Sequence, residues 1–250
     1  MSHAESQKAD GVVRVVSKHR RTLVLGVILA GLMNAAPASA QLDGIPVYFN
    51  PKGGTGFTLA GDYGRGINDD SGKRNAVAGR VVLGVSAFSL GAGVGRVSGE
   101  TSFQGTAAIR VFGGAFVPVA VSIQAGLGYS QPGDGATETT VYNVPIGIGF
   151  GLNIPTPGFL FEPWVAPRFS LSRVEANGQS ENQTGFGLSG GVTIGFAMGL
   201  ALHAALDWAD IDTATFTPAQ ALSTQPMTLG IGVSYTFRLP GLGVPMMPGM

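Results

Sequence analysis

Val117–Tyr129 reads VPVAVSIQAGLGY. Its odd positions are Val117, Val119, Val121, Ile123, Ala125, Leu127 and Tyr129, and its even positions are Pro118, Ala120, Ser122, Gln124, Gly126 and Gly128. Strict alternation is the period of a β-strand with one apolar face and one small or polar face. In a soluble antiparallel sheet the apolar face turns to a core. In a membrane-spanning strand it turns to lipid, and the polar face looks into a lumen. Thirteen residues satisfy the ~9–11 that a tilted spanning strand requires.

Composition favours the second setting. The chain has 40 glycines among 250 residues and only 12% charged residues, with a positive mean hydropathy, unlike an ordinary soluble domain. No Gly-X-Y period exists, which excludes collagen. Past residue 40 no apolar run has the length of a spanning helix. What remains is apolar residues spread at period two between turn signals, the pattern of a membrane barrel. Cysteine is absent, which excludes lipid attachment through cysteine, disulfides and thiolate metal sites.

The N-terminus carries a targeting pattern. Lys18, His19, Arg20 and Arg21 precede the apolar run Leu23–Met33, followed by Ala38-Ser39-Ala40. A basic, apolar and small-residue order marks a secretory signal peptide, with cleavage expected after Ala40 at the site set by Ala38 and Ala40. Removing residues 1–40 takes away Lys8, Arg14, Lys18, Arg20, Arg21, Glu5 and Asp10, leaving ten basic and thirteen acidic residues and a net charge near −3. That balance gives no electrostatic case for nucleic acid.

Ten strands are predicted after a Pro/Gly-rich lead, near residues 55–64, 75–85, 88–98, 103–112, 117–130, 139–152, 159–173, 184–198, 200–210 and 227–238. Connections on one side are predicted long: Arg65–Arg74, Gly99–Ser102, Gln131–Glu138, Val174–Gln183 and Ile211–Met227. Those on the other side are short: Ser86-Ala87, Gly113–Phe116, Asn153–Gly158 and the Met198-Gly199 junction. Long loops on one rim and short turns on the other suit an outer-membrane barrel with both termini periplasmic. Aromatics gather at both strand ends. Phe57, Phe88, Phe116, Phe150, Phe159, Phe161, Phe196 and Phe237 lie on the short-turn side, and Tyr63, Phe103, Tyr129, Tyr142, Phe186 and Trp208 on the other. Two aromatic belts at headgroup level follow.

The last strand, Gly232-Val-Ser-Tyr235-Thr-Phe237, places two aromatic residues two apart after a glycine. With this motif and the alternating strands, Gly54–Arg238 resembles the small outer-membrane β-barrel proteins of the OmpA/OmpX type. The resemblance implies an all-β, transmembrane, antiparallel up-and-down β-barrel of about ten strands, with eight or twelve as the fallback. It implies a Gram-negative type outer membrane and an assembly signal, Gly232, Tyr235 and Phe237, read by the barrel-assembly machinery. Two features depart from that signal: Gly230 replaces the usual polar residue, and Arg238–Met250 follow Phe237. No peptidoglycan-binding sequence follows, so the anchoring role of larger members is not implied. The organisation is then a signal peptide at 1–40, a periplasmic lead at 41–54, the barrel at 55–238 and a flexible periplasmic tail at 239–250.

Alternation assigns Asp62, Arg80, Arg110, Glu162, Arg168, His203, Asp207 and Arg238 to the inward face, with Gln124 and Asn143 adding neutral polarity. Arg80 and Arg168 fall near mid-height. Buried charges of opposite sign pair, so these residues form a structural lumen network or a charged constriction. Catalysis is not expected. His203 and Asp207 are about 13 Å apart along one strand at ~3.3 Å per residue. No nucleophile elbow, zinc motif or phosphate-binding loop occurs. No cofactor or metal is expected. Twelve inward glycines, among them Gly93, Gly187 and Gly191, suggest either tight curvature or an incompletely filled lumen. The outer loops hold Asp134, Glu138, Glu175, Glu181, Asp210 and Asp212, a solvated face or one meeting lipopolysaccharide through divalent cations. Two functions fit: a narrow, weakly selective pore for small hydrophilic solutes past Arg80 and Arg168, or a closed structural or surface-interaction barrel blocked by Arg–carboxylate pairs and Trp164. The partners expected are outer-membrane lipid, with lipopolysaccharide as a candidate, and the assembly machinery.

Overall fold

A computed structural model describes residues 55–114, 117–131, 139–176, 179–213 and 222–237. The strands are β1 (Gly56–Gly66), β2 (Asn75–Val85), β3 (Phe88–Val97), β4 (Glu100–Gly114), β5 (Val117–Ser130) and β6 (Thr139–Leu152). They continue with β7 (Ile154–Thr156), β8 (Phe159–Ala176), β9 (Gln179–Phe196), β10 (Leu200–Thr213), β11 (Leu222–Thr224) and β12 (Met227–Phe237). Every paired neighbour is antiparallel, and β12 returns to β1 from Phe57↔Phe237 to Gly66↔Thr228. That pairing closes the sheet and leaves no edge for lipid to meet, the condition for strands to span a membrane.

The two three-residue strands add no stave. β7 continues β6 past Asn153 in the same register against β8, from Gly151↔Trp164 to Ile154↔Phe161. β11 continues β12 beyond Pro226 in the same register against β10, from Trp208↔Met227 to Ile211↔Thr224. The barrel therefore has ten staves, as the alternation predicts.

Burial is inverted relative to a soluble protein. On β5, Ile123 and Leu127 are 47% and 55% exposed, whereas Ser122 and Gln124 on the opposite face are 1% and 5% exposed. Forty large hydrophobic side chains among the described residues are exposed, far more than a soluble surface carries in one continuous band. Lipid is the solvent that makes this favourable. The rim of aromatic rings is also in place. Phe57 and Phe237 lie 6.3 Å apart at the end bearing the termini. Tyr129 sits 6.4 Å from Phe103 and 5.4 Å from Tyr142 at the other end.

The predicted loop lengths need correction at several places. The turn after β3 is not Gly99–Ser102 but Ser98-Gly99, with φ of 48° and 102°. Two consecutive left-handed residues make the tight hairpin turn whose twist matches its strands. The predicted loop Val174–Gln183 is largely strand, since β8 and β9 stay paired out to Ala176↔Gln179. Only residues 177–178 separate them, and the sequence there, Asn-Gly, is one that favours a two-residue hairpin connection. The sequence between strands is thus long at 67–74, 131–138 and 214–221, of which 132–138 and 214–221 lie outside the described residues, and short at the other two connections of that rim. Asn153–Gly158 similarly shrinks to the turn Pro157-Gly158, with glycine at φ 90° after proline, as a type II turn requires.

Candidate functional site: the charged barrel interior

Two arginine–aspartate pairs hold the middle of the barrel. On neighbouring strands, Arg80 of β2 donates from Nε and Nη2 to Oδ2 and Oδ1 of Asp62 on β1, at 2.5 and 2.8 Å. Two parallel bonds fix the fork of a guanidinium on a carboxylate and make this the strong form of ion pair. The side chains are 5% and 6% exposed. The second pair reaches over an intervening strand. Arg168 of β8 donates from Nη1 and Nη2 to Oδ1 and Oδ2 of Asp207 on β10, at 2.6 and 2.8 Å. Ser189 of β9 stands between them, accepting from Arg168 Nη1 at 2.7 Å and donating to Asp207 Oδ1 at 2.5 Å. Arg168 is 1% exposed and Asp207 13%.

Glycine makes both pairs possible. Arg168 lies opposite Gly187 in the β8–β9 register, and a Cβ on Gly187 would stand 2.6 Å from Arg168 Cζ. Gly232 on β12 lies opposite Asp62, and a Cβ there would collide with the Asp62 carboxylate. Gly93, opposite Arg80 on β3, would carry a Cβ 2.9 Å from Arg80 Cγ and 2.7 Å from Gln104 Nε2. A third role thus joins curvature and open space: at these positions a bare wall lets a neighbouring charged side chain lie flat.

The remaining inward residues build outward from the pairs. His203 faces Gly232, with Nε2 2.7 Å from Ser234 Oγ and Nδ1 3.1 Å from Thr193 Oγ1. Asp207 is instead bound to Arg168 and Ser189, so His203 and Asp207 form no catalytic couple. Trp164 is buried with Ala166 and Ala205 and occupies the space that a Cβ on Gly191 would need. Gln124 donates to Ser122 Oγ at 2.8 Å, and Ser172 donates to Asn143 Oδ1 at 3.1 Å. Glu162 is 6% exposed on the terminal side of β8. Arg110 is half-buried beside the bulge in β4 and donates to Ser86 O at 3.3 Å, apart from the central pairs. Ser189, Thr193 and Ser234 escaped the sequence reading as site residues, although alternation puts all three inward. Arg238, Ala38 and Ala40 lie outside the described residues.

The predicted assembly residues sit on the closing strand. Tyr235 and Phe237 point outward with ring centroids 4.7 Å apart, while Gly232 is the inward glycine against Asp62. Among the described residues no three His, Asp or Glu side chains gather as a metal site requires.

A family model for the outer membrane protein beta-barrel domain matches residues 26–237. The chain belongs to that family. Membership places it in the outer membrane. No curated protein sequence matches the chain. Solved structures of similar fold include the N-terminal β-barrel domain of Pseudomonas aeruginosa OprF, at 12% identity and TM-score 0.34, covering 74% of this chain and 99% of that one. The beta domain of the Bordetella autotransporter Brka is similar at 13% identity and TM-score 0.43, covering 74% and 100%. Neisserial surface protein A is similar at 16% identity and TM-score 0.37, covering 73% and 98%.

Proposed function

We propose that this family member is a closed outer-membrane barrel whose interior is a built-in plug and whose loop rim is the working surface. The observation that carries this reading is the burial of Arg168 and Arg80, 1% and 5% exposed, inside bidentate pairs. A continuous water path past these arginines, as the narrow-pore reading requires, would leave their side chains accessible. Buried ion pairs of this geometry are costly to break singly, so thermal motion does not open the lumen readily. The connection at residues 67–74 then faces outward, with the loop end of the paired strands β8 and β9 on the same rim. Both termini are periplasmic. Gly232, Tyr235 and Phe237 form the signal that the assembly machinery reads, and residues 1–40 are removed during export. The test is solute flux. Liposomes carrying the refolded chain should swell in small sugars no faster than empty liposomes. Swelling that falls with sugar size would support the pore instead.

A further inference from the structure

Arg65 and Arg96 stand apart from the other basic side chains of the loop rim. Both are exposed on the outward face, on β1 and β3, above apolar residues such as Val81, Leu90 and Val94 that are 39–61% exposed. Their strands flank β2, where Arg65 lies opposite Asn75, and Val77 lies between Tyr63 and Arg96. Two inter-strand spacings of ~4.8 Å and two residues of rise at ~3.3 Å place their Cα atoms about 12 Å apart. Two arginine side chains span that gap and can converge on one anion. Tyr63, whose hydroxyl donates to Asn75 Oδ1 at 3.0 Å, lies across Val77 from Arg96.

Among the described residues no carboxylate holds Arg65, and Arg96 donates from Nε only to the carbonyl of Gly99, at 2.8 Å. The basic residues elsewhere on this rim differ: Arg173 is held by Glu175 at 2.7 Å and Lys73 by Asp69 at 2.6 Å. The nearby Asp70 is engaged by the backbone amide of Gln225 at 2.8 Å. Two forked donors thus face the headgroup layer, at the boundary where the apolar band ends.

The geometry points to a lipid-phosphate site on the β1–β3 face, formed by Arg65 and Arg96 beside Tyr63. A guanidinium pairs with phosphate through two parallel N–H donors. At headgroup level each such cation contributes enough to favour an anionic over a neutral lipid. The occupant is a membrane lipid rather than free phosphate, because both arginines sit on the lipid-facing side and continue the apolar surface. The site is independent of whether the lumen is open.

Native mass spectrometry of the mature chain extracted from phosphatidylcholine bilayers containing phosphatidic acid tests this assignment. One phosphatidic acid should be retained in preference to phosphatidylcholine. Arg65→Gln/Arg96→Gln should weaken its apparent affinity about 30-fold, and Arg173→Gln should leave it unchanged. A heat-dependent gel shift establishes that each variant is folded, and Arg65→Lys/Arg96→Lys, which keeps the charge, should retain part of the preference. Equal retention in the Gln variant, or retention lost equally in Arg173→Gln, overturns the site. Competition by inorganic phosphate at the same concentration as phosphatidic acid overturns the lipid as its occupant.

Discussion

Arg168→Met should destabilise the barrel by about 3–5 kcal/mol, the cost of leaving a buried carboxylate without its partner. Asp207 would keep the 2.5 Å bond from Ser189, which favours the lower end of that range. The matching change Asp207→Leu strands a guanidinium in the same space and should cost a similar amount. The double variant should lose less than the sum, because neither charge is then left alone. In bulk water two unit charges 4 Å apart interact by about 1 kcal/mol, and at an effective dielectric of 20 by about 4 kcal/mol. The coupling in the double-mutant cycle therefore reports the medium around the pair. With Arg168 1% and Asp207 13% exposed, a coupling of about 3 kcal/mol is expected. Urea unfolding of the refolded chain in lipid vesicles measures it, with fluorescence from Trp164 in the lumen and Trp208 in the outward belt. A coupling below about 1 kcal/mol, the range of solvent-exposed pairs, would mean that water fills the lumen around Arg168 and would refute a dry plug.

Three further outcomes follow from particular residues. Gly187→Val should cost about 1–3 kcal/mol by forcing Arg168 off the wall, whereas Gly61→Val, where a Cβ meets nothing within 4 Å, should be tolerated; the same unfolding assay separates them. Amides of Glu181, Asn182 and Gln183 should exchange slowly with solvent where they bond to β8, and uniform fast exchange there would restore the predicted open loop. The hydrogen bond and charge of Lys73 hold the Asp69 carboxyl below its ordinary value of 3.8. A lowered folded-state value means that this contribution is present above the ordinary value and is lost as pH falls through the folded one. An NMR titration should show Asp69 returning upward in Lys73→Ala and in high salt, since the pair is exposed and screened.

The staves were legible because lipid imposes a strict rule on each spanning strand. Outward residues must be apolar, so Ile123 and Leu127 announce their face against Ser122 and Gln124. Beyond the lipid that rule lapses. Residues 174–183, VEANGQSENQ, show no apolar period, yet backbone pairing continues through them from Val174↔Glu181 to Ala176↔Gln179. Hairpin pairing needs hydrogen bonds and a suitable turn, not an apolar face, so alternation could not reveal it. The inward charges were legible one by one for the same reason as the strands. Their partnerships were not, because Arg168 meets Asp207 over Gly187 and Ser189 on a third strand. Which residues share a height depends on register across β8, β9 and β10, and no single strand carries that information. The glycines were read as curvature or empty space for want of the same knowledge: Gly187 and Gly232 matter through the side chains of their neighbours.

Single-channel recording of the refolded mature chain in a planar bilayer, with Arg80→Ala and Arg168→Ala alongside, tests the closed interior most directly. Refolding is established first by a heat-dependent gel shift. A plugged barrel gives a silent bilayer for the wild type, with current steps arising only when an arginine is removed. Regular steps from the wild type, with an ion selectivity that shifts in both variants, would contradict the plug and make the two arginines the constriction of a pore.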